Sequence, residues 1–173
     1  SSDLDVGIEF YLELLEKEIN RVKNKSIDEH QEVEIIYNQN VYIPETYIES
    51  AERRLFYYKK ISLITTKEEH LSLIEEFLDK FGLVPLEVQN LMNISLIKIY
   101  LQRIGIHKII IKDDSIIIYS KKVKELKEIQ IEIKNLSSEP KQISKFLEGK
   151  SNIEEILKSD YEIVDGKFII NNK

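Results

Sequence analysis

The dominant hydrophobic period of this 173-residue chain changes at Gly105. Before it, apart from a short alternating stretch over 33–37, apolar residues recur at three- and four-residue steps, the spacing of one helix face. After it, they alternate or gather in short isoleucine-rich runs, as strands do. A chain written this way keeps helices and strands apart in sequence, which selects an α+β arrangement over alternating βαβ units. The length allows a core without staples, since roughly 70% of the unfolded surface can be buried. The expected fold is α+β: an N-terminal amphipathic helix and a three-helix segment, followed by a small, mostly antiparallel sheet with short helices.

Local punctuation places the elements. Ile8, Tyr11, Leu12, Leu15, Ile19 and Val22 trace one helical stripe, with Asp5 as N-cap and Asn24 to Ser26 as its end. Val33, Ile35 and Tyr37 alternate as a short strand or extended arm, and Val41 to Pro44 should be extended because the residue before proline avoids the helical region. A helix follows over about 50–63, with Ser50 as N-cap and Ala51, Leu55, Tyr58 and Ser62 facing inward. The next opens on a Thr66–Glu69 capping box, stops at Gly82, and carries the stripe Leu71, Ile74, Phe77, Leu78 and Phe81. A third starts at Pro85 and runs to about Arg103, apolar over much of its circumference, so it should be central and buried.

Beyond Gly105, Lys108 to Lys112 and Ser115 to Ser120 form a hairpin around Asp113-Asp114, and Ile129, Ile131 and Ile133 mark a third strand with one wet face. Two short helices are expected over 140–147 and 152–157. The last hairpin pairs Tyr161 to Val164 with Lys167 to Ile170 across Asp165-Gly166. The expected organisation is one domain over 1–173: a leading helix (1–24), an extended arm (25–47), a helical core (48–104) and an α/β part (105–173).

Little in this chain points to catalysis. Only five glycines are present and no two lie close together, so neither a dinucleotide fingerprint nor a nucleotide-binding loop can be drawn. The absence of cysteine removes disulfides, thiolate metal sites and a cysteine nucleophile. His30, His70 and His107 are isolated, without zinc-ligand spacing, and no nucleophile elbow occurs. Glu75, Glu76 and Asp79 sit on a helix, where nothing forms a pocket to shift their pKa values. The expectation is a non-catalytic chain with no metal and no cofactor. No apolar run approaches the roughly 20 residues that cross a bilayer, and no secretory pattern is present, so the expected setting is cytoplasmic without a membrane partner.

A net charge of −6 argues against a dedicated nucleic-acid binder. Lys121, Lys122, Lys124 and Lys127 read as a solvated edge that discourages strand pairing rather than as a phosphate patch. Arg53, Arg54, Lys59 and Lys60 share a helix with Tyr57 and Tyr58. Intradomain ion pairs are their plain reading, and contact with nucleic acid is the alternative.

Three stretches in order carry a more specific signal. They are Val6-Gly7-Ile8-Glu9-Phe10-Tyr11-Leu12, then Tyr42-Ile43-Pro44-Glu45-Thr46-Tyr47-Ile48 with Arg53-Arg54-Leu55-Phe56-Tyr57-Tyr58-Lys59-Lys60-Ile61, and then Glu76-Phe77-Leu78-Asp79-Lys80-Phe81-Gly82-Leu83-Val84-Pro85. Together they resemble the C-terminal (TRCF) domain of the bacterial transcription-repair coupling factor (Mfd) family, over about residues 6 to 105. Lys80 stands where the family usually has Arg, Thr46 where it has Asp, and Glu49-Ser50 where it has Pro-Asp. The family's ATPase motifs and RNA-polymerase-binding module lie outside this sequence.

The resemblance implies an autoinhibitory, interaction-type domain of a DNA-translocating repair factor. Such a domain packs on the N-terminal UvrB-like module of the same polypeptide and masks its UvrA-binding surface. UvrA and RNA polymerase are then indirect partners through other parts of the parent, and DNA is met through the parent motor. The contacts of the family's Phe-Gly motif fall here on Glu76 and Asp79. At 100° per residue the expected stripe faces the core, which leaves Glu76 and Asp79 roughly 60° apart on the far side, beside Glu69 and Ser72. A merely solvated helix face is the plain alternative.

Overall fold

The computed structural model describes residues 32–121 and 127–173. The leading helix expected over 1–24, the first part of the arm, and Lys122 and Lys124 lie outside the described residues. Two compact units are formed: one takes 40–96 of the described chain, the other 32–39, 97–121 and 127–173.

The first unit is helical. Helix α1 (Ala51–Ser62) starts where Ser50 accepts from the Arg53 amide. Helix α2 (Lys67–Phe81) starts where the Thr66 hydroxyl accepts from the Glu69 amide at 3.1 Å, while Glu69 Oε2 accepts from the Thr65 amide at 2.9 Å, a capping pair shifted by one residue from the usual box. Gly82 ends α2 with φ of 85°, a conformation that suits glycine. Helix α3 (Leu86–Ile104) follows Pro85, whose carbonyl accepts from Val88 and Gln89. Ile43, Ile48, Tyr57, Tyr58, Ile61, Leu73, Phe77, Val88, Leu91 and Met92 form the buried cluster of this unit.

Two helix faces differ from the periodic reading. On α1 the buried residues are Arg54, Tyr57, Tyr58 and Ile61, while Ala51 and Leu55 are exposed and Ser62 is half-buried. The face is rotated because the Arg54 guanidinium is turned inward to the carbonyls of Ile48 and Glu49, at 2.8 Å each. On α2 the buried line is His70, Leu73 and Phe77; Leu71 is 50% and Leu78 45% exposed, against the inward placement expected for both. Ile74 and Phe81 do pack against the core.

The second unit holds a six-stranded mixed sheet. Its strands are β1 (Glu34–Ile36), β2 (Ile106–Ile111), β3 (Ser115–Lys121), β4 (Glu128–Lys134), β5 (Tyr161–Val164) and β6 (Lys167–Asn171), in the order β1-β2-β3-β4-β6-β5. β1 pairs with β2 and β4 with β6 in parallel; the other three pairings are antiparallel. Between β4 and β5 lie helices α4 (Pro140–Glu148) and α5 (Ile153–Ile156). Ile116, Ile117 and Ile118 are all buried, as expected of a strand covered on both faces. The closing turn sits on Asp165 and Gly166, with φ of 51° and 77°, the doubly positive geometry that fits two-residue hairpins.

Registers align two apolar rows across the sheet. One runs Ile109, Ile118, Ile131, Phe168, Ile163 and the other Ile111, Ile116, Ile133, Ile170, Tyr161. Directly paired residues project on the same face, so each row is one contiguous apolar ridge. Among the described residues no helix is long and apolar enough to cross a membrane.

Candidate protein-interaction site

The site is built on α2 of the helical unit. An aromatic cluster fixes the orientation of that helix. Tyr57 of α1 packs on Phe77 at 5.0 Å and meets Phe81 edge-on at 5.4 Å between ring centroids. The Tyr47 hydroxyl donates to the carbonyls of Phe77 and Gly82 at 3.1 and 3.0 Å, which closes the C-terminal end of α2. With Leu73 and Phe77 held inward, the opposite face is decided by helical geometry. Glu68, Ser72, Glu75 and Asp79 follow one another at steps of four, three and four, all exposed, with Leu71 and Leu78 flanking them.

Glu76 is held differently. Its side chain is 24% exposed, and Oε1 accepts from Lys60 Nζ of α1 at 2.7 Å, while Oε2 lies 3.8 Å from Lys80 Nζ, one turn on. Hydrogen bonding from Lys60, then from the Tyr57 hydroxyl, holds the Glu76 carboxyl below its ordinary range. Burial, with Glu76 beside it, pushes the Tyr57 phenol up to about 12. Glu76 therefore joins α1 to α2 rather than standing on the outer face.

The other residues singled out in the sequence separate in the same way. Glu69 caps its own helix, and Ser72 and Asp79 are exposed on the outer face. Arg53 and Lys59 are exposed, Lys60 is engaged by Glu76, and Arg54 is 7% exposed, so the four cations do not form one surface. Glu68, Glu75, Leu71 and Leu78 enter the outer face although the stripe reading omitted them or placed them inside. Centring the inward arc on Leu73 and Phe77 would have found them.

A family comparison decides the kinship. The family model of the TRCF domain matches residues 37–131, from the loop after β1 through the helical unit and into β4. The chain belongs to the TRCF domain family. The chain is 30% identical over 135 residues to the transcription-repair-coupling factor of Borreliella burgdorferi, an alignment covering 78% of this chain and 11% of that protein. It is 34% identical over 96 residues to the Bacillus subtilis transcription-repair-coupling factor, covering 55% of this chain and 8% of the relative. A solved crystal structure of the C-terminal domain of transcription-repair coupling factor is similar at a TM-score of 0.51 and 34% identity, covering 54% of this chain and 58% of that one. The chain thus spans about a tenth of the length of the curated relatives it matches.

Proposed function

We propose that this chain is a non-catalytic docking domain of a transcription-repair coupling factor, and that the outer face of α2 packs on the N-terminal UvrB-like module of the same polypeptide. There it masks the surface that receives UvrA. The observation that supports this reading is the row of exposed carboxylates, Glu68, Glu75 and Asp79, set beside Leu71 and Leu78 on a helix whose opposite side is locked into an aromatic core. A face of this kind offers a row of acid with apolar area along one side of it, which suits a partner surface that sets basic residues beside an apolar patch. Buried charge pairs across such a contact contribute about 1.5 kcal/mol or more each, and rim pairs much less. A releasable clamp needs only modest coupling of this size.

Glu76 enters this proposal as a positioning residue: its pair with Lys60 ties α2 to α1 and reinforces the rotation set by the aromatic cluster, which presents Asp79 and Ser72 outward. Nucleic-acid contact through Arg53, Arg54, Lys59 and Lys60 is the weaker reading, because Arg54 is spent on backbone carbonyls and Lys60 on Glu76.

Calorimetry of this chain with the separately produced UvrB-like module tests the proposal. Glu75→Lys with Asp79→Lys should weaken binding at least tenfold while circular dichroism is unchanged. Glu76→Lys should lower the stability of the helical unit as well as binding. Unchanged affinity in the Glu75/Asp79 variant would move the contact off this face.

A further inference from the structure

The two apolar rows of the sheet do not stop where its burial stops. Ile109, Ile118 and Ile131 are fully buried, Phe168 is half-buried, and the same row ends on Ile163 at 62% exposure; the second row passes from buried Ile170 to exposed Tyr161. Tyr161 also stacks edge-on with Phe168 at 5.2 Å. β5 is the last strand of the sheet, and among the described residues nothing pairs with its outer side. In a hairpin with a two-residue turn the pair flanking the turn, here Val164 and Lys167, exchanges hydrogen bonds, so Val164 and Glu162 face β6. Tyr161 and Ile163 therefore aim their backbone N–H and C=O groups outward. The same two residues thus combine an open hydrogen-bonding edge with unfinished apolar rows.

Charge selects the occupant. Asp160, Glu162 and Asp165 put three carboxylates on β5 and its immediate flanks, and β5 itself carries no cation, the nearest in sequence being Lys158 and Lys167. A second copy of β5 laid alongside would bring three like charges against them, which disfavours self-pairing. An extended segment with alternating apolar residues and basic flanks would continue both rows and neutralise the acids. We infer that β5 is a strand-addition edge for a basic, extended segment of another protein, with Tyr161 and Ile163 supplying the backbone bonds and the apolar seat. The hairpin lies outside the stretch matched by the family model and far from α2 in sequence, so this inference stands or falls apart from the proposed clamp.

The test uses the 173-residue chain and a synthetic peptide, Lys-Val-Thr-Val-Thr-Val-Lys, beside its Glu-flanked counterpart. Saturating Lys-flanked peptide should slow exchange of the Tyr161 and Ile163 amides at least tenfold, leave the already bonded Glu162 and Val164 amides nearly unchanged, and bind less tightly as salt is raised. Ile163→Pro removes one outward donor at a position where an edge strand tolerates proline, and should cost at least tenfold in affinity with an unchanged circular dichroism spectrum. Asp160→Lys with Glu162→Lys, which leaves Tyr161 and Ile163 in place, should reverse the preference toward the Glu-flanked peptide. Absence of protection at Tyr161 and Ile163 overturns the inference, as does equal binding of both peptides. Sedimentation showing that the chain alone dimerises, with Ile163→Lys restoring the monomer, overturns it in favour of a second copy.

Discussion

The guanidinium of Arg54 donates to the carbonyls of Ile48 and Glu49 from a nearly buried position, tying α1 to the turn that precedes it. Arg54→Met keeps the stem but leaves those acceptors unmet, and should destabilise the helical unit by about 2–3 kcal/mol. The urea midpoint reads this loss, and Arg54→Lys should recover only part of it because an ammonium is more strongly hydrated than a guanidinium and costs more to bury. His70 shows the opposite device. Burial is the main cause of its lowered pKa, the nearby Lys67 charge acts in the same direction, and a hydrogen bond to the Met92 backbone opposes them. Below about pH 6.5 the unfolded chain binds a proton that folded His70 refuses, so stability falls as pH drops through that range. Glu76 adds a second loss at lower pH. Its folded pKa is depressed, chiefly by Lys60, so its contribution is complete above the ordinary carboxylate range and is lost as pH falls through its folded pKa. Urea midpoints from pH 8 to 3.5 should therefore decline in two steps, with His70→Gln flattening the upper and Lys60→Met the lower. A flat profile from pH 7.5 to 5.5 in the parent chain would contradict the His70 argument.

At the scale of elements, the end of α4 depends on one side chain. Arg103 donates to the carbonyls of Leu147, Glu148 and Lys150 and stacks on Tyr100 at 4.7 Å. Gly149 has φ of −83°, so no left-handed glycine cap does this work. Arg103→Ala should cost about 1–2 kcal/mol and speed amide exchange in the last turn of α4, while β2 and β3 keep their protection. Helix boundaries were legible because they rest on local chemistry: Ser50, Thr66 and Gly82 all sit at the caps their residue types suggest. Helix faces were less so. Arg54 and His70 are polar residues buried by specific partners, which no hydropathy period reveals, and α2 carries apolar residues over so wide an arc that Leu71 and Leu78 could be read either way. The hairpins β2–β3 and β5–β6 followed from their turns. The parallel pairings β1–β2 and β4–β6 join residues far apart in sequence, and no local pattern encodes them.

Over the whole molecule the charge balance disfavours a phosphate backbone as a binding surface. Acidic residues outnumber basic ones by 31 to 25, and two of the four clustered cations on α1 are already engaged. The chain should therefore leave duplex DNA unshifted at about 150 mM salt in a mobility assay, where a backbone binder would shift it and lose affinity steeply with added salt. The outer face of α2 was visible in the sequence as an acidic helix, and the family resemblance was carried by motifs that its helical core still holds. The residues that make up that face were not, because they follow from an inward arc centred on Leu73 and Phe77, which the expected stripe did not have.

The sheet order carries one more consequence, in the order of folding events. β6 comes after β5 in the chain yet sits between β5 and β4. β5 thus has no neighbour to join until β6 exists, and β6 cannot reach β4 alone without trailing β5 behind it. Local closure at Asp165-Gly166 takes microseconds, far faster than a long parallel search. The hairpin should therefore form first and dock as a finished unit, with β6 leading and β5 carried to the rim.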